Sequence, residues 1–181
     1  MIKERELLNK KEIEITIERL CQQLIENHQD FKNTVIVGVQ PRGAFLSKRI
    51  IAKLQSLIST STIQSGNVDI SFYRDDLMRR EDPIVPQVMD MNLSVEGKNV
   101  VLIDDVLFTG RSIRSAIDAL MAFGRPKSVE LLTLINRRFS RHLPIQPNYV
   151  GRTIDALKTE KVIVEWKEIN GKDRVLMRKS E

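Results

Sequence analysis

The 181-residue chain has a single cysteine, Cys21, so no intramolecular disulfide framework is available to it and the sequence fits a reducing compartment. No apolar run approaches the length needed to span a membrane. Residues 1–6 are charged and lack the apolar stretch of a signal peptide, so a cytoplasmic protein is expected. Only two histidines occur, His28 and His142. Neither has neighbours that suggest catalysis, and neither zinc-ligand spacing nor a nucleophilic triad is visible. A Walker-type phosphate loop, internal repeats and low-complexity tracts are absent as well.

What is present is a globular composition, with 41% hydrophobic and 29% charged residues. The length points to one domain over residues 1–181, large enough to bury a core. The net charge of +5 suits an anionic ligand and permits nucleic-acid binding without requiring it.

Periodicity orders the chain. Ile13, Ile17, Leu20, Cys21 and Leu24 fall three and four apart within residues 11–27, one face of a helix. Residues 34–39 read as a buried β-branched strand ended by Gln40-Pro41. After Gly43 a second helix is expected, with Leu46, Ile50, Leu54 and Ile58 inward. Residues 59–67 read as a loop and 68–73 as a strand. Residues 74–91 are charged, carry Pro83 and Pro86 and lack periodicity, which predicts a flexible loop of the kind that serves as a lid. Residues 100–103 are the clearest buried strand. Ile113, Ile117, Leu120 and Met121 define a helix that Gly124 stops. Residues 129–135 form another strand, and Asn170-Gly171 predicts a hairpin between 161–166 and 174–177. Strands alternating with helices give an α/β fold with a mainly parallel sheet flanked by helices, the C-terminal hairpin being added to it.

Residues 100–112 carry the chemistry. An apolar strand ends in two carboxylates, Asp104 and Asp105, followed by Thr109-Gly110-Arg111-Ser112 and a helix. In open α/β sheets ligands bind at the C-terminal ends of strands. Backbone N–H groups and the dipole at the helix start favour a phosphate. Gly110 lets the backbone approach closely, and Thr109 and Ser112 add hydroxyls. Adjacent carboxylates cannot bind that phosphate; they suit hydroxyls, or a cation between anions. A ligand with a phosphate at one end and a diol in the middle, a ribose 5-phosphate, fits. A receiver domain also has an acidic pair at a strand end, but near its N-terminus, whereas here the pair is in mid-chain.

Residues 100–112 resemble the 5-phosphoribosyl-1-pyrophosphate (PRPP) motif of type I phosphoribosyltransferases. The form Asp104-Asp105-Val106-Leu107-Phe108-Thr109-Gly110-Arg111 is most similar to the PyrR type, pyrimidine operon attenuation regulators that are also uracil phosphoribosyltransferases. Residues 37–43 resemble the family's pyrophosphate loop, 69–77 the strand entering its flexible catalytic loop, 118–120 and 124–126 the helix and turn after the motif, and Leu143-Pro144-Ile145 with Tyr149-Val150-Gly151-Arg152 its hood. The resemblance implies the type I fold with hood elements over about 136–181. It implies that Val101, Leu102, Ile103, Asp104, Asp105, Val106, Leu107, Phe108, Thr109, Gly110, Arg111 and Ser112 bind PRPP, the two aspartates on the ribose hydroxyls and Thr109 to Ser112 on the 5-phosphate. Arg42 and Gly43 fall where pyrophosphate binds, and Tyr73-Arg74 starts a lid whose Arg74, with Arg79 or Arg80, meets the departing pyrophosphate. Arg137, Tyr149, Val150, Gly151 and Arg152 fall at the base, beside Asn136, where the family usually carries an aspartate. The implied reaction is uracil plus PRPP giving UMP and pyrophosphate, with Mg2+ bound mainly through PRPP, in a homo-oligomer of two or more chains.

An mRNA leader is the family's second partner. Arg137, Arg138, Arg141, Arg152, Lys158 and Lys161 crowd one segment, against Asp155 and Glu160. The RNA-binding members offer a threonine, an arginine and a histidine on the first helix; here Glu18, Arg19 and Gln22 stand there, and Asp155 adds an acid in the hood. The expectation is that attenuation through RNA is lost or altered. Three readings stay open: a uracil phosphoribosyltransferase, an RNA-binding or nucleotide-sensing regulator with weak catalysis, and a phosphoribosyltransferase for another base.

Overall fold

A computed structural model of the chain describes residues 4–58, 63–71, 73, 91, 93–157 and 159–179. Arg74, Arg79, Arg80 and nearly all of the 74–91 segment, together with Lys158, lie outside the described residues.

Asn9 sets the first helix. Its side chain accepts from the Glu12 N–H, and the Glu12 carboxylate accepts from the Asn9 N–H, so two orphan donors are satisfied reciprocally. Helix α1, Lys10–His28, then buries Ile13, Ile17, Leu20, Cys21 and Leu24, the face its spacing predicts. Helix α2, Gly43–Leu57, buries Leu46, Ile50 and Leu54, while Ile58 follows as a partly buried cap.

Strands β2 (Thr34–Val39), β3 (Gln64–Val68), β4 (Asn99–Leu107), β5 (Ser128–Arg138) and β6 (Tyr149–Asp155) form one sheet in the order β3-β2-β4-β5-β6, every neighbour parallel. Helices cover both faces, which is why β4 reads as a continuous apolar run. Val101 and Ile103 face the core under α1 and α2; Val100 and Leu102 face the core under α3, Arg111–Leu120.

Three parts differ from the periodicity reading. The strand expected at 68–73 is β3, Gln64–Val68, a polar edge strand without the alternation that marks a half-buried one. Met121 is exposed and starts a 3₁₀ turn, so α3 packs through Ile113, Ala116, Ala119 and Leu120. Tyr149–Asp155, placed by resemblance in the hood, is the parallel edge strand β6 of the main sheet.

A second, antiparallel sheet has the order β1-β8-β7, from β1 (Glu4–Leu8), β7 (Glu160–Glu165) and β8 (Arg174–Lys179). The C-terminal hairpin is thus real, and it recruits the charged N-terminal segment as a third strand. Its connection is a helical turn, α4, Lys167–Asn170, ended by Gly171 at φ +75°, so the Asn-Gly pair closes a helix rather than a two-residue turn. This sheet hangs on α2. Arg49 donates to Glu168 and Asp173, each at 2.8 Å, and lies 4.7 Å from the ring centre of the fully buried Trp166. Arg42 donates to the Val164 carbonyl at 3.1 Å.

Candidate functional site

The crossover after β2 runs outward to β3, and the one after β4 runs the other way to β5. Loops that diverge in this way leave a crevice at the strands' C-terminal ends. The last pair between β2 and β4 is Gly38 with Ile103, whereas β4 and β5 stay paired through Asp104–Thr133, Val106–Ile135 and Leu107–Asn136. The strand therefore continues through the acidic pair, beyond its last pairing with β2.

Residues 40–43 turn into α2 across this opening; the Gln40–Pro41 peptide is cis. Gly43 touches β4 so closely that a Cβ there would lie 2.3 Å from the Ile103 carbonyl oxygen and 3.0 Å from the Asp104 Cα. Only a hydrogen fits. This contact brings the loop holding Arg42 against the acidic pair. Sequence reasoning placed Arg42 and Gly43 by resemblance alone.

Asp104 and Asp105 are buried, 9% and 6% exposed. Burial, and then the charge of Asp105, hold the Asp104 carboxyl well above its ordinary range, opposed by the Asp105 N–H that donates to its Oδ1 at 3.0 Å. Burial pushes Asp105 up to about 6 against the positive charge of Arg42, which pulls it down. The Oδ2 of Asp105 has no hydrogen-bond partner among the described residues. A buried acceptor left open in this way suits a ligand hydroxyl.

Beyond β4, Gly110 sits at φ +90° as the residue before α3. The first turn of α3 carries no acidic residue, and the Arg111 N–H donates to Thr109 Oγ1 at 3.4 Å. The expected phosphate loop, residues 109–112, is thus a left-handed turn opening onto a helix N-terminus. Ser115 of α3 donates to the Tyr73 carbonyl at 2.9 Å, so the entrance to the 74–91 segment lies against the same helix.

The residues assigned to the base separate. Arg137 is brought beside the motif: its guanidinium stacks 4.0 Å from the Phe108 ring centre and donates to the Leu157 carbonyl at 3.2 Å. It is 4% exposed, burial lowers its pKa, and its Nε has no partner among the described residues. Arg137 and Val150 line one cleft of about 460 Å³, with Asn136 and Arg141. The other contacts of residues 149–152 run to α1, β5 and β1. Tyr149 donates to Glu130 at 2.6 Å and accepts from Asn27 at 3.0 Å, at the start of β6. The Val150 and Gly151 carbonyls accept from Arg19 at 3.1 and 2.6 Å. A Cβ on Gly151 would lie 2.4 Å from the Leu134 carbonyl oxygen. Arg152 donates to the Leu7 carbonyl at 2.5 Å. These contacts tie β6 to α1, β5 and β1. One residue that the sequence placed only in a basic patch, Arg141, turns out to hold the Phe108 carbonyl and the Asn136 side chain.

Known proteins match this arrangement. Residues 4–168 match the phosphoribosyl transferase domain. The chain is 38% identical over 175 residues to the bifunctional protein PyrR of Enterococcus faecalis strain V583, covering 97% of both, and 36% identical to that of Clostridioides difficile strain 630, covering 98% and 99%. A hypoxanthine phosphoribosyltransferase of Trypanosoma cruzi superposes with a TM-score of 0.73 at 16% identity (98% of this chain, 97% of that one), and one from Staphylococcus aureus with 0.71 at 23% (95% and 90%). These structures share the fold. The chain belongs to the phosphoribosyltransferase family and, within it, to the PyrR proteins.

Proposed function

We propose that the protein transfers the phosphoribosyl group of PRPP to uracil, giving UMP and pyrophosphate. The observation that carries this reading is the convergence, at one crevice, of a buried acid pair, the Arg42–Gly43 loop and the Thr109–Ser112 turn. Asp104 and Asp105 accept the ribose hydroxyls, the turn and the start of α3 hold the 5-phosphate, and Arg42 stands where the pyrophosphate leaves. The C1–O bond of PRPP breaks, N1 of uracil bonds to C1, and the N1 proton is lost. Positive charge that develops at the sugar on the way needs shelter from water, a task suited to a lid beginning at Tyr73. Magnesium enters with PRPP, whose oxygens are its main ligands. The open Oδ2 of Asp105 fits a hydroxyl of that complex. Arg137 and backbone groups of the adjoining cleft are the groups we assign to the base. A homo-oligomer belongs to the same reading.

The test is a panel of uracil, orotate, hypoxanthine and guanine, each with PRPP and magnesium. Uracil should be converted and the others spared. Conversion of a different base, with uracil untouched, would overturn the assignment.

RNA control is weakened in this chain, on a specific observation: two of its candidate cations already meet partners within the chain. Arg138 pairs with Asp155 at 2.6 Å, and Arg19 donates to the Val150 and Gly151 carbonyls of β6. A gel shift at physiological salt should show no tight, uridine-nucleotide-dependent complex with a pyrimidine leader hairpin. A tight complex would refute the loss.

A further inference from the structure

Two consecutive carbonyls of the candidate phosphate loop are held from one side. The Phe108 carbonyl accepts from Arg141 Nη1. The Thr109 carbonyl accepts from the N–H of His142 at 3.0 Å and of Leu143 at 3.3 Å. In a planar trans peptide the C=O and the following N–H point in opposite directions. Fixing both carbonyls toward the β5–β6 connection therefore turns the N–H groups of Thr109 and Gly110 away from it. Successive N–H groups turned one way, with a left-handed residue between them and the helix, form a concave anion site.

Arg141 is the side chain in this clamp, and it bridges two elements. Its Nη2 donates to Asn136 Oδ1 at 2.7 Å, and Asn136 is paired with Leu107 at the end of β4. Arg137 stacks on the ring of the same Phe108. From beneath, Ile145 and Leu143 lie 3.3 and 3.5 Å from the position a Cβ on Gly110 would take. The turn is thus gripped at Phe108, Thr109 and Gly110 by residues of one connection.

We propose that Arg141 is a positioning residue for the 5-phosphate of PRPP: by holding the Phe108 carbonyl to the end of β5, it aims the Thr109 N–H into the loop. The proposal rests on the reading of residues 109–112 as the 5-phosphate site. It assigns Arg141 no contact with the reacting atoms and predicts a loss confined to one end of the substrate.

The experiment compares the full-length wild type with Arg141→Met, Arg141→Lys and Asn136→Ala. It measures kcat, KM for PRPP and for the base, and calorimetric binding of ribose 5-phosphate and of pyrophosphate. Loss of one charge-assisted hydrogen bond should raise the PRPP KM of Arg141→Met about tenfold and weaken ribose 5-phosphate equally. Pyrophosphate affinity should stay within about twofold, since Arg141 touches neither the residue 40–43 loop nor the acid pair. Arg141→Lys should recover part of the loss, because one ammonium reaches a single acceptor. Asn136→Ala should move the PRPP KM in the same direction. An unchanged PRPP KM with unchanged ribose 5-phosphate binding would overturn the proposal, as would an equal loss of pyrophosphate affinity, the mark of a general structural tether. If Arg141→Met does not fold, the Lys and Asn136→Ala variants decide by the same criteria. Wild-type protein that neither uses PRPP nor binds ribose 5-phosphate would instead refute the site itself.

Discussion

Replacing Asp104 and Asp105 together by Asn should lower PRPP-dependent turnover by about a thousandfold, from the loss of two charged hydrogen-bond acceptors at about 1.5–3 kcal/mol each. The same change should leave the protein as stable as before at neutral pH, or more so. Burial raises both carboxyls in the folded chain, Asp105 to about 6. A carboxyl raised on folding contributes its stability below its unfolded value, near 4, and that contribution is lost as the pH climbs through the folded value. At pH 7.5 the pair therefore opposes folding, and neutral amides of the same shape relieve it. The double variant should melt at or above the wild-type temperature at pH 7.5, with its advantage shrinking as the pH falls toward 4. A large fall in melting temperature at pH 7.5 would mean that the pair is structural. Lost activity with retained stability marks two groups kept for a ligand at the fold's expense.

Gly43→Ala should have the second largest effect, on both stability and rate. The added methyl would lie 2.3 Å from the Ile103 carbonyl oxygen and 3.0 Å from the Asp104 Cα. Both are backbone atoms of a strand still paired with β5 at this point, so neither can swing away as a flexible side chain would. Either α2 shifts outward or β4 bends, and overpacking of this kind costs about 1–3 kcal/mol. The displacement falls where the Arg42 loop meets the acid pair. Misplacement of catalytic groups by about 1 Å can cost about a hundredfold in rate. Urea denaturation and steady-state kinetics on the alanine variant check both parts. A variant with wild-type stability and turnover would show that the loop does not need this contact.

These two predictions bear on different layers of the sequence. The acid pair and the turn after it were legible because strand, carboxylates, glycine and helix follow one another without interruption. The helices α1 and α2 and the strands β2 and β4 were legible for a similar reason: each is declared by its own period and by the residues that end it. Strand β3 was not, because Gln64-Ser65-Gly66-Asn67 carry no apolar alternation and become a strand only by pairing with β2. Strand β1 was hidden more deeply. Its partner is at the other end of the chain, Glu4 opposite Arg178, and no local signal reaches that far.

The site shows the same division. Why position 43 is glycine can be seen only once α2 is laid on β4. Tyr149, Gly151 and Arg152 drew a functional reading from the family resemblance, and the fold gives each a packing or hydrogen-bonding partner in α1, β5 or β1. Arg141 had the opposite fate. It was one cation among several in a basic stretch until folding set it against a carbonyl 33 residues earlier. Residues that stand in an uninterrupted run of like purpose can be read from the chain; a residue that meets a peptide group 33 positions away cannot.

The most direct measurement is product formation by purified wild-type protein given uracil, PRPP and magnesium, with the Asp104→Asn/Asp105→Asn variant alongside. UMP and pyrophosphate should appear in equal amounts with the wild type and fall to about a thousandth of that rate with the variant. Folded wild-type protein that makes no UMP, or a variant that makes it as fast, would contradict the account.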